Sequence, residues 1–147
     1  MIITDLRTEL EKCRVLQRKI LIFSERIENI NSMLYSSRGQ IISDMPRGNG
    51  GAATGKTDDL IDKRNRYMTI ISETKNDFVC QQARLEQAFL DCNLNTDEIM
   101  LLRLRFFFDN PWKKCSRILT SETKTEWNTN RCFRTYRKIL SKFNKNN

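Results

Sequence analysis

The sequence predicts an all-α protein. A long antiparallel helical hairpin, coiled-coil-like, is expected over residues 1–94, and a C-terminal three-helix helix-turn-helix domain over residues 95–147. Three observations predict this. Two long stretches repeat apolar residues every three or four positions, the spacing of a helix that lies along a partner helix. All five glycines and one of the two prolines fall between those stretches, within residues 36–56. The last third breaks into three shorter helical patterns and carries almost all of the net charge.

The first helix is expected over residues 3–35. Leu6, Leu10, Cys13, Leu16, Ile20, Phe23, Ile27, Ile30 and Leu34 are spaced by three or four throughout, with no Gly or Pro between them. The period is close to 3.5, and the face they form is a packing face.

Residues 36–56, SSRGQIISDMPRGNGGAATGK, read as a flexible Gly-rich linker. A nucleotide-binding pattern sits at its end. Gly50-Gly51-Ala52-Ala53-Thr54-Gly55-Lys56-Thr57 satisfies G-x-x-x-x-G-K-[ST]. In a true phosphate-binding loop the Lys reaches the phosphates and the Thr hydroxyl a magnesium ion, and Asp109 after three phenylalanines mimics the acidic partner. That chemistry requires a buried strand before the loop, and SDMPRGN is not one. No alternation of strands and helices follows either. The motif is therefore read as linker, with Thr57 capping the next helix and no nucleotide cofactor expected.

The second long helix is expected over residues 58–92. Asp58 and Asp59 suit the positive end of its dipole. Leu60, Tyr67, Ile71, Phe78, Leu85, Phe89 and Cys92 mark its apolar side, widened by Ile61 and Met68, and Ile71, Phe78, Leu85 and Cys92 are seven apart. Thr74, Lys75, Gln81 and Gln82 interrupt this seam. Two helices make a thin core, so a homodimer through the hairpin is expected, which would present two readers to a two-fold-symmetric site.

Asn93 to Asn95 joins the hairpin to the last domain. Thr96 is expected to cap its first helix, with Asp97 and Glu98 in the first turn. Ile99, Leu102 and Phe106 supply the apolar face, with Leu104 and Phe107 at its margins. Asp109-Asn110-Pro111 ends that helix, and Pro111 suits the first turn of the second. Trp112, Cys115, Ile118 and Leu119 form the second apolar face. Thr120 to Asn128 reads as a polar turn. The third helix starts at a cap on Asn128 or Thr129, and Cys132, Tyr136, Ile139 and Phe143 line its inner side.

Charge gives this domain its expected partner. Residues 95–147 hold 12 Lys/Arg against 5 Asp/Glu, whereas residues 1–94 hold 14 against 13, so seven of the eight net positive charges lie in the last third. A localised excess of this kind is the footprint of a polyanion binder. On the third helix Asn130, Arg134, Arg137 and Lys138 fall opposite the apolar line, with Arg131 beside them. Arg and Asn suit bidentate contacts with guanine and adenine edges, and Lys suits phosphates. Lys113 and Lys114 at the head of the second helix complete the candidate DNA-binding set.

The stretch resembles the fourth, promoter-reading region of bacterial sigma factors. The likeness is to the form found in small bacteriophage and prophage regulators related to the RinA and ArpU activators. Pro111-Trp112-Lys113-Lys114-Cys115-Ser116 stands where that family has a Trp-led second helix. Arg131 to Phe143 stands at its recognition helix, with Ile139-Leu140 as the closing apolar pair. Ser43-Asp44-Met45-Pro46-Arg47-Gly48 is similar to a linker motif of the same phage family. Cys115-Ser116 departs from the usual larger aliphatic and small residue, and the turn at 120–128 is long and lacks Gly. The resemblance implies a sequence-specific transcriptional regulator of phage or prophage genes, acting in the cytoplasm of a bacterial host and contacting host RNA polymerase.

Other classes are weighed against this. A phage DNA-packaging protein of the small-terminase kind also joins a DNA-reading domain to a helical assembly segment, and a plain coiled-coil assembly protein is a third reading. Catalysis is not expected, since the chain has no His and no paired nucleophile and base. The five cysteines, Cys13, Cys80, Cys92, Cys115 and Cys132, form no CxxC pair, so no metal site is expected, and most lie on apolar faces as in a reducing compartment. No apolar run approaches the roughly 20 residues of a membrane span, and the first residues lack a signal-peptide pattern.

Overall fold

In the computed structural model, which describes residues 5–44 and 50–146 of the backbone and the side chains of 5–36 and 57–145, the chain is all-helical. The elements are α1 (Leu6–Asp44), α2 (Gly50–Asp91), α3 (Thr96–Leu102, continuing as a π-helical turn over Arg103–Phe107), α4 (Trp112–Thr123) and α5 (Thr129–Asn146). No strand occurs among the described residues.

The two long helices run further than their sequence patterns. α1 continues past residue 35 to Asp44, and α2 starts at Gly50 rather than 58. Most of the expected linker is therefore helical backbone, including Gly50–Thr57. One Gly inside a helix costs about 1 kcal/mol, which a long cooperative helix tolerates. Of the stretch Ser43 to Gly48, expected as a linker motif, residues 45–48 lie outside the described residues.

By compactness the chain divides into Met1–Gln17 with Asp77–Asn147, and Arg18–Asn76. The expected junction at 94/95 lies inside the first of these. In that unit Leu6, Leu10 and Cys13 of α1 and Leu85, Phe89 and Cys92 of α2 share one core with Leu101, Leu102, Phe106, Phe107, Cys115, Leu119, Cys132, Ile139 and Phe143. The α1 and α2 seams read from the sequence thus point inward, and part of what they cover is the three-helix domain. Gln81, which interrupts the α2 seam, is buried because its amide has partners: Nε2 donates to the Glu9 carbonyl at 3.0 Å, and Oε1 accepts from Arg84 at 3.1 Å. Arg14 on α1 reaches Asp109 at 2.8 Å.

The second unit is an antiparallel helix pair. Phe23 packs on Tyr67 with ring centroids 5.2 Å apart, Arg26 lies over both rings, and Arg64 donates to Asn31 at 3.2 Å. Ile30 and Leu34 are buried as the apolar period requires. Thr74, a second polar interruption of the seam, is buried and returns its hydroxyl to the Ile70 carbonyl at 2.7 Å. Met68, expected on the apolar side, is exposed instead.

Candidate nucleic-acid interface

Three short helices hold the cationic residues in place, and α3 anchors them. Its cap is Asn95, not Thr96. The Asn95 side chain accepts from the Glu98 amide at 2.8 Å, and the Glu98 carboxylate accepts from the Asn95 amide at 3.0 Å, a reciprocal capping box. Glu98 is buried, and Lys142 of α5 donates to both of its oxygens at 2.9 and 3.0 Å. One carboxylate therefore caps α3 and fastens the far end of α5 to it.

The π turn at Arg103–Phe107 is absent from the sequence reading. It widens the helix, and the Phe108 amide donates to the Arg103 carbonyl five residues back at 3.0 Å. Phe106 and Phe107 are both buried as a result, with Leu101 as well as Leu102, while Phe108 stays outside. Asp109 then takes a left-handed backbone with φ 50°, a conformation Asp tolerates better than most residues. Pro111, expected in the first turn of α4, is its N-cap, with an extended backbone.

α4 continues to Thr123, four residues into the stretch expected as turn, which shortens the connection to Lys124–Asn128. Threonines explain why. Thr120 and Thr123 return their hydroxyls to the carbonyls of Ser116 and Leu119 at 2.8 and 2.7 Å, so the polar side chains hydrogen-bond without leaving the helix. Lys124 ends the helix in the left-handed region, φ 57°, where Gly is usual. Trp127 plugs the turn. It is buried, its amide donates to Thr120 Oγ1 at 2.9 Å and its indole Nε1 to Thr123 Oγ1 at 3.2 Å. Asn128 caps α5 by accepting from the Arg131 amide at 2.8 Å.

On α5 the inner line is as expected: Cys132, Ile139 and Phe143 are buried and Tyr136 half-buried. Asn130, Arg134, Arg137 and Lys138 are exposed on the other side, and Lys113 and Lys114 are exposed in the first turn of α4. Arg131 differs from the rest. Its guanidinium lies 3.9 Å from the Trp127 ring centroid and Nη1 donates to the Glu126 carbonyl at 2.6 Å, so it braces the turn.

The positive charge of the region sorts into two groups. Arg103 is held by Glu86 at 2.7 and 2.8 Å, hydrogen bonds that raise its pKa further, and Lys142 by Glu98. Arg105 lies over the Trp112 ring at 4.7 Å, and burial lowers its pKa. Among the described residues, no ion pair engages Lys113, Lys114, Arg117, Arg134, Arg137 or Lys138. Arg117 and Lys124, both exposed, were not singled out from the sequence. Arg117 follows Lys113 by four, a spacing that would have flagged it, whereas nothing local marks Lys124.

Compared with protein-family models, curated proteins and solved structures, the chain gives no match in any of the three. No described helix is long and apolar enough to cross a membrane.

Proposed function

We propose that the chain is a sequence-specific DNA-binding transcriptional regulator of phage or prophage genes, with α4 and α5 acting as a helix-turn-helix reader similar to sigma region four. The observation that carries this reading is the outward face of α5. Asn130, Arg134 and Arg137 recur there at helical spacing and are exposed, and neither Arg has an ion-pair partner among the described residues, while Arg103 and Lys142 are already paired. A face of free guanidinium and amide groups on one helix has the chemistry of base-edge recognition, and Lys113, Lys114 and Arg117 on α4 have that of phosphate clamps. The chain acts as a binder and not an enzyme, in the cytoplasm of a bacterial host, with host RNA polymerase as a further partner. A homodimer forms through the long helices, where Leu21, Ile22, Met33 and Met68 of the second unit are exposed apolar side chains.

The test is selection of bound duplexes from a random library with the full chain, followed by affinity titrations across salt. A recovered consensus and a log–log salt slope of several units are expected. No enrichment would refute the reading. Sedimentation of the same sample expects a dimer, and a large ring would move the assignment to a DNA-packaging protein.

A further inference from the structure

One apolar side chain interrupts the cationic face of α5. Phe133 exposes 39% of its surface. It lies three residues from Asn130, four from Arg137 and next to Arg134, so these polar groups surround it on the helix surface. It is also held in place. Trp112 packs against it with ring centroids 5.1 Å apart, and Trp112 in turn rests on Tyr136 at 5.5 Å and on the buried Phe106 at 6.3 Å. The Arg105 guanidinium lies over the Trp112 ring. The ring is thus braced by a cluster of tilted and edge-on aromatic rings, while part of its surface faces solvent among hydrogen-bonding groups.

We propose that Phe133 reads the 5-methyl group of thymine in the major groove. This rests on the DNA-reading assignment of α5 and names part of what that helix recognises. Base edges in the major groove offer hydrogen-bond donors and acceptors and a single apolar group, the thymine methyl. A polar helix face that keeps one fixed aromatic edge is matched to such a target. Asn130, Arg134 and Arg137 then read the flanking bases, and Phe133 selects thymine between them.

The experiment uses the full chain and the duplex recovered by selection. Each thymine is replaced in turn by deoxyuridine, which removes only the methyl group. At one or two positions the affinity should fall about three- to fivefold, the worth of roughly one buried methyl group. That ratio should not change with salt, because an apolar contact releases no counterions. In Phe133→Ala the loss on deoxyuridine substitution should vanish at those positions, and Phe133→Leu, which stays apolar, should keep part of it. The circular dichroism melt of each variant establishes that it is folded, and Phe133→Leu serves as the informative variant if Phe133→Ala is not. Failure to bind any duplex would remove the DNA reading and this inference with it. Sequence-specific binding indifferent to deoxyuridine would overturn the thymine proposal alone. Discrimination that persists in Phe133→Ala would assign the methyl contact to another residue. Tighter binding to the single strand than to the duplex would overturn the groove reading in favour of base stacking.

Discussion

Individual side chains in this protein owe their behaviour to burial. Burial pushes the Cys13 thiol up to about 12 and the Cys115 thiol to about 11, and raises Cys132 as well. Cys92 is also buried, and Cys80 alone of the five is exposed. One fast-reacting thiol is expected in the native chain, and all five should react after unfolding. Loss of the fast phase in Cys80→Ser checks the assignment. Glu9 behaves in the opposite sense. Burial pushes its carboxyl up, but the hydrogen bonds from Gln81 and Lys12 and the nearby charges of Lys12 and Arg84 outweigh it, and the net pKa lies below the ordinary 4.5. Such a group favours the fold above that value, and its contribution is lost as pH falls through the lowered folded-state pKa. Glu9→Gln should therefore lower the urea midpoint at neutral pH, and the two curves should converge in acid below about pH 4.5. Parallel curves throughout would mean that the Glu9 charge is immaterial.

Helices α4 and α5 bear the exposed cations on which the proposed recognition rests. Arg134 is exposed near the start of α5, on the side away from Cys132 and Ile139. Its planar fork bonds both acceptors of a guanine, whereas Lys145 in the last turn offers only charge. Arg134→Ala should cost about 1–3 kcal/mol on the selected duplex and much less on scrambled DNA. Lys145→Ala should weaken both by similar small amounts. Equal losses for Arg134→Ala on the two duplexes would make it a phosphate contact. The turn between these helices makes a separate prediction. Lys124 holds a left-handed backbone that costs a non-Gly residue about 1–2 kcal/mol. Lys124→Gly removes that strain but adds freedom to the unfolded chain, so a net gain of about 0.5 kcal/mol is expected. Thermal melts of the two chains measure it, and a lower melting temperature would contradict it.

In the whole molecule, α3, α4 and α5 share one core with residues of α1 and α2, so they are expected to unfold together with them. Leu10 of α1 is fully buried in the core that also contains Leu119 and Ile139. Leu10→Ala should cost about 2–5 kcal/mol, at the end of the chain remote in sequence from α5. DNA binding should then be lost in the same thermal transition as the helical signal. Separate transitions would instead indicate that residues 95–147 are autonomous.

Much of this architecture is legible in the chain. The helical class, the inward seams of α1 and α2 and the inner line of α5 follow from local periodicity, because residues three, four or seven apart share one helix face. The outward residues Asn130, Arg134, Arg137 and Lys138 are placed by the same rule. Other features depend on partners far away in sequence. Whether a cation is free or spent is decided by contacts such as Lys142 with Glu98, 44 positions apart. The burial of Gln81 depends on Glu9, 72 positions away, and the bond from Arg14 to Asp109 spans 95. The inward placement of both Phe106 and Phe107 needs the π turn, in which one extra residue per turn changes the face that a given position presents. Periodicity reports which residues share a face, but only packing decides what that face meets.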